Sequence, residues 1–163
     1  MTGATIDITA LLQSGFRYAL SLSHDKHQAE DLLQDAWLAV MQAGGPLSRT
    51  YLFSAIRSRF LNANRREKLV LLVSMDDAAE LEQGDEFELD SMPLNLNEEH
   101  LHAALADLRS VEREVLFLMV VEGYTAQEVA DLTARPRGTV LSLLHRGKAK
   151  IRRYVEQRKD VMP

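Results

Sequence analysis

The 163-residue sequence contains no cysteine. That absence excludes disulfide frameworks, thiolate zinc sites and cysteine nucleophiles, and it suits a protein of the reducing cytoplasm. Long apolar runs are absent too. None approaches the ~18–20 residues that a membrane span needs, and the opening stretch MTGATIDITALLQSG has neither the basic n-region nor the apolar h-region of a secretory signal. There is no run of alternating strand-like residues and no internal repeat, so the expected fold class is all-α. What remains is ordinary for a folded soluble protein: 46% hydrophobic and 26% charged residues, too apolar for a wholly disordered chain. The length allows one domain or two small ones.

A net charge of −5 would by itself argue against a polyanionic partner, yet the total hides an uneven distribution. Residues 1–68 carry eight Lys+Arg against six Asp+Glu, residues 69–99 carry none against ten, and residues 100–163 carry eleven against eight. A phosphate backbone meets one face of a protein rather than its average, so local charge decides. In the acidic stretch Asp76, Asp77, Glu80, Glu82, Asp85, Glu86, Glu88 and Asp90 repel one another, and Pro93 interrupts any helix. It reads as a linker or solvated tether between two helical halves, dividing the chain into residues 1–70, a linker 71–96 and residues 97–163.

In the first half, Ile8, Leu11, Leu12, Phe16, Ala19 and Leu20 recur at helical steps. A second helix carries an apolar stripe of Ala29, Leu32, Leu33, Ala36, Trp37, Val40 and Met41, leaves Glu30, Asp31, Gln34 and Asp35 outside, and ends at Gly44-Gly45-Pro46. A third, from about Ser48 to Lys68, turns Leu52, Ile56 and Phe60 to the core and gathers Arg57, Arg59, Arg65, Arg66 and Lys68 elsewhere. In the second half Asn97 is a suitable N-cap with Glu98 and Glu99 in the first turn, followed by Leu101, Ala104, Leu105 and Leu108. The run 111–121 is apolar enough for a buried helix, closed by Gly123.

Thr125-Ala-Gln-Glu128 matches a capping box, in which hydroxyl and carboxylate satisfy each other's orphan backbone donors. It starts a short helix over 126–132 that buries Val129, Ala130 and Leu132. The turn 133–135 leads to Pro136, suited to a first helical position, and the helix after it points Val140, Leu144 and Ile151 inward. This is the helix-turn-helix plan, although plain helical hairpins share much of the spacing. From Arg135 to Lys159 nine Lys+Arg stand against the single acid Glu156, which points to salt-sensitive binding of a polyanion. Arg137, Thr139, Ser142 and His145 occupy the early positions of a recognition helix, with Arg146 and Lys148 further along for phosphate. His24-Asp25-Lys26-His27 invites a metal reading, but no second cluster supports it. No cofactor is expected, and nothing points to an enzyme.

Leu108 to Arg153, LRSVEREVLFLMVVEGYTAQEVADLTARPRGTVLSLLHRGKAKIRR, resembles the promoter-binding fourth-region domain of extracytoplasmic-function sigma factors, sharing its REV, EG and GTV positions. His24 to Gln42, HDKHQAEDLLQDAWLAVMQ, is similar to the AED helix of the same family, and Tyr51 to Glu67, YLFSAIRSRFLNANRRE, to its WLF helix. Both domains stand in the family's order and spacing.

The resemblance implies a sigma factor that binds core RNA polymerase and directs promoter-specific initiation, catalysing no reaction itself. It implies that Asp31, Gln34 and Asp35 bind the clamp helices of the polymerase's largest subunit, where exposed carboxylates complement a basic partner. Tyr51, Ser58, Asn62, Arg65 and Arg66 would read the minus-ten element as separated single strand, and Arg137, Thr139, Ser142, His145, Arg146 and Lys148 the minus-thirty-five duplex. The linker would thread polymerase channels as a nucleic-acid mimic. The polymerase flap and an anti-sigma factor or other regulatory protein complete the implied partners. Tyr51, Ser58 and Asn62 replace the family's usual Trp, Asn and Asp. After Gly138-Thr139-Val140, Leu141 and Leu143 stand where the family usually carries cations, so this surface either touches thymine methyls or is buried against a protein. A sigma mimic that occupies an anti-sigma factor without productive promoter binding is the alternative function. A helix-turn-helix repressor or activator would leave the first domain unexplained.

Overall fold

The structure, a computed structural model, describes residues 7–67 and 98–161, with the side chains of 66, 67, 98 and 159–161 outside what it describes. The linker expected over 71–96 and the expected cap Asn97 lie outside the described residues. The chain divides into two compact units, and the described residues of each are helical.

The first unit is a three-helix bundle of α1 (Ile8–Ser23), α2 (Lys26–Ala43) and α3 (Arg49–Glu67), each packed on the other two. Local chemistry sets the ends. The Asp7 carboxylate accepts from the Ala10 amide at 3.2 Å, and His24, in the left-handed region, closes α1 by donating its N–H to the Leu20 carbonyl at 2.8 Å. One residue later Asp25 opens α2, accepting from the amides of His27 and Gln28 at 2.9 and 3.2 Å. The His24–His27 cluster is thus a corner between helices, its carboxylate engaged as a cap.

The core of this unit is Leu11, Tyr18, Ala19 and Leu22 from α1, Ala29, Leu32, Ala36 and Val40 from α2, and Leu52, Phe53, Ile56 and Phe60 from α3. It corrects the expected stripes. On α1 the buried face is rotated: Leu12, Phe16 and Leu20 are half-buried and Ile8 exposed, while Tyr18 is wholly buried. Both α2 and α3 press on α1, so the edge between them decides what is buried, and the Tyr18 ring packs 4.6 Å from that of Phe53. Gly15 permits this approach, since a Cβ there would lie 2.9 Å from both Leu33 Cδ1 and Leu52 Cδ2. On α2, Leu33 and Trp37 are half-buried and Met41 is exposed.

The second unit comprises α4 (Glu98–Ala106), α5 (Ser110–Leu116), a π-helical turn (Phe117–Val121), α6 (Ala126–Thr133) and the long α7 (Arg137–Val161), which packs against α4, α5 and α6. Gly147 is where α7 meets α5; a Cβ there would lie 2.9 Å from Leu116 Cδ1. The expected buried run is buried only through Leu118, and Val120 and Val121 are exposed. The π turn accounts for this: Glu122 N–H donates to the carbonyl of Phe117, five residues back, at 3.0 Å, and the widened turn rotates its last residues away from the core.

The capping box at Thr125 is present in full, with Glu128 N–H donating to Thr125 Oγ1 at 3.1 Å and Thr125 N–H to Glu128 Oε1 at 2.9 Å. Two details of the motif differ from expectation. Leu132 is half-buried while Thr133 is buried, its hydroxyl donating to the Val129 carbonyl at 2.7 Å. Pro136 stands one place earlier than the first helical position, its carbonyl accepting from Val140 at 3.1 Å.

Candidate functional site

On α2, Asp31, Gln34 and Asp35 are all exposed while their neighbours Leu32 and Ala36 are buried. Leu38 and Met41, 57% and 55% exposed, continue the same side of the helix at three- to four-residue steps. The α2 face is therefore acidic over about one turn and apolar over the next, and its apolar half was not legible in the sequence, where Met41 reads as core. Carboxylates steer a partner and exposed large apolar side chains give it area to bury.

On α3, Tyr51, Ser58, Asn62 and Arg65 are exposed at steps of seven, four and three residues, on one face opposite Leu52, Ile56 and Phe60. Arg66 is helical, and its side chain lies outside the described residues. Tyr51 belongs to the first turn, where its N–H donates to Ser48 Oγ at 3.2 Å.

The helix-turn-helix divides its expected contacts. Arg137 is exposed, and His145 and Arg146 are half-buried. Thr139, Ser142 and Lys148 are buried, Lys148 with no exposed surface at all. A side chain so enclosed does not reach a phosphate, and the periodicity explains it: Lys148 is four residues after Leu144 and eight after Val140, on the inward side of α7. Leu143 is 1% exposed. It belongs to the unit's own core rather than to a DNA-facing or partner-facing surface, whereas Leu141 is half-buried.

The basic run is also less available than its composition suggests. Arg135 Nη1 donates to Glu114 Oε1 at 2.9 Å, and Lys150 Nζ to Glu112 Oε1 at 2.7 Å; both acids are 1% exposed. Glu112 does a second task, accepting from the Arg109 amide at 2.8 Å to cap α5. Arg113 donates to the carbonyls of Leu108 at 2.6 Å and Leu105 at 3.4 Å, tying the end of α4 to α5. Burial lowers its pKa from the ordinary arginine value and the neighbouring Glu112 opposes the shift, so the guanidinium stays charged. These structural roles were missed from sequence. Arg137, Arg152 and Arg153 remain exposed on α7, while Arg158 lies 5.9 Å over the Tyr154 ring.

The two helical units coincide with two regions of one family. A family model described as sigma-70 region 2 matches residues 8–70, and one described as sigma-70 region 4 matches residues 98–151. The chain belongs to the sigma-70 family. As a sigma factor it directs promoter-specific transcription initiation. Its curated relatives include the ECF RNA polymerase sigma factors SigX of Bacillus subtilis, 24% identical over 88% of this chain and 79% of the relative, and EcfG of Rhodopseudomonas palustris, 28% identical over 96% and 88%. SigL of Mycobacterium tuberculosis is 28% identical over 80% and 76%. Among solved structures, the sigma factor RpoE of Bartonella quintana, crystallised with the anti-sigma factor NepR, shares the fold with a TM-score of 0.67 at 20% identity, covering 92% of this chain and 94% of that one. Among the described residues no helix is long and apolar enough to cross a membrane, and no group of three His, Asp or Glu could hold a metal ion.

Proposed function

We propose that this sigma factor docks on core RNA polymerase through the α2 face, with Asp31, Gln34 and Asp35 meeting the clamp helices of the largest subunit. The α3 face of Tyr51, Ser58, Asn62, Arg65 and Arg66 reads the separated minus-ten strand. Arg137, His145 and Arg146 meet the minus-thirty-five duplex, and Thr139, Ser142 and Lys148 leave that set because they are enclosed. The domain assignment is second region over 1–70, linker over 71–96 and fourth region over 97–163. The protein catalyses no reaction and works in the cytoplasm beside the polymerase.

The observation that carries this reading is the α2 face: three polar residues presented together, backed by buried apolar neighbours. Run-off transcription with core polymerase, this protein and a promoter library tests it. Initiation at defined start sites is the expected result, and failure to co-elute with core polymerase would leave the sigma mimic. Regulation by an anti-sigma factor is part of the proposal, supported by the RpoE fold match, since that protein was crystallised with one.

A further inference from the structure

Gly44 and Gly45 are adjacent, and they are glycines for different reasons. Gly44 has φ +63°, the left-handed cap of α2, and a Cβ there would meet nothing. Gly45 has no positive φ, so backbone freedom does not explain it. Space does: a Cβ on Gly45 would lie 2.6 Å from Tyr51 Cζ, 2.7 Å from its hydroxyl oxygen and 2.8 Å from Cε1. The phenol end of Tyr51 fills the volume a side chain would take. The backbone beneath that ring is fixed as well, since the Tyr51 N–H donates to Ser48 Oγ. The ring is cradled at its far end, yet the residue is 37% exposed.

We infer that Gly45 is a positioning residue for promoter recognition: it cradles the Tyr51 ring so that its open side forms a preset stacking platform for one unpaired base. This rests on the proposed reading of α3 as the minus-ten surface. A preset ring loses little freedom on binding, so a displaced ring weakens the stack more than it weakens the fold. Ala at 45 drives out the far end of a side chain that can swing, so the bundle survives while the platform moves.

The test uses holoenzyme assembled from full-length protein and core polymerase, with single-stranded oligonucleotides from a promoter found by run-off. Each carries 2-aminopurine at one position, whose fluorescence falls on stacking. Tyr51→Ala should abolish quenching at one position and cost about tenfold or more in affinity for the preferred base. Gly45→Ala should reduce both by roughly threefold to tenfold with the Tm of the free protein unchanged. Gly44→Ala should do the opposite, lowering Tm by roughly 4–8 °C and leaving base preference alone. In a Tyr51→Ala background, Gly45→Ala should add nothing, which keeps the inference testable even if the single variant folds poorly. If Tyr51→Ala changes neither quenching nor preference, the minus-ten reading of Tyr51 falls and takes the inference with it. If Tyr51→Ala acts as stated but Gly45→Ala matches wild type, the inference alone is overturned.

Discussion

The two helical units solve the burial problem differently. Among the described residues, the buried core of the first is apolar apart from the Tyr18 hydroxyl, whereas in the second the charged side chains of Glu112, Arg113, Glu114 and Lys148 are buried together with Thr133, Thr139 and Ser142. Where a core is apolar, every charge is left for the surface, and a polar face on a helix is free for a partner. Where a core recruits charge, local basicity overstates what a partner can meet. Buried ions must be paired or hydrogen-bonded to persist, and Glu112 and Glu114 accordingly take cations from the motif that resembles a DNA reader.

That contrast can be attacked from both sides. The largest effect is expected from Leu143→Arg, which forces a charge into the core of the second unit and should cost more than about 4 kcal/mol, unfolding it in a thermal melt followed by circular dichroism. Leu141→Arg, half-buried two residues away, should fold and tighten binding to minus-thirty-five duplex. If both are tolerated equally, Leu143 is not part of the core. Next comes Glu114→Ala, which strands Arg135; with Arg135 one-fifth exposed, the loss should be about 2–3 kcal/mol in urea unfolding. Asp31→Ala, on the open α2 face, should leave the midpoint where it is. A subtler contrast lies in salt. Arg153→Gln should lower the slope of log affinity against log salt by about one, whereas Lys150→Gln should lower Tm and leave the slope unchanged. The smallest effect is Ala134→Gly: Ala134 sits at φ +54° in the turn, and glycine there should add about 0.5–1 kcal/mol of stability.

The same contrast explains what could be read in advance. Helix number and order were legible because caps and apolar spacing are local: Thr125 with Glu128, and Gly44, act within a turn of where they stand. The acidic α2 face was legible because its inner neighbours are all apolar. The fates of Arg135 and Lys150 were not, because their partners lie 21 and 38 residues away in sequence, beyond any helical period. Tyr18 and Leu38 were missed for a related reason. Which side of a helix is buried depends on how many neighbours press on it, and composition along one helix does not count them.

On the proposed reading the α2 face is a docking surface open to core RNA polymerase. The direct measurement is co-elution of Asp31→Arg/Asp35→Arg protein with core RNA polymerase, beside its thermal melt. The expected result is loss of co-elution with an unchanged melt, because both side chains are exposed and support nothing inside the bundle. Undiminished co-elution by a folded double variant would contradict it.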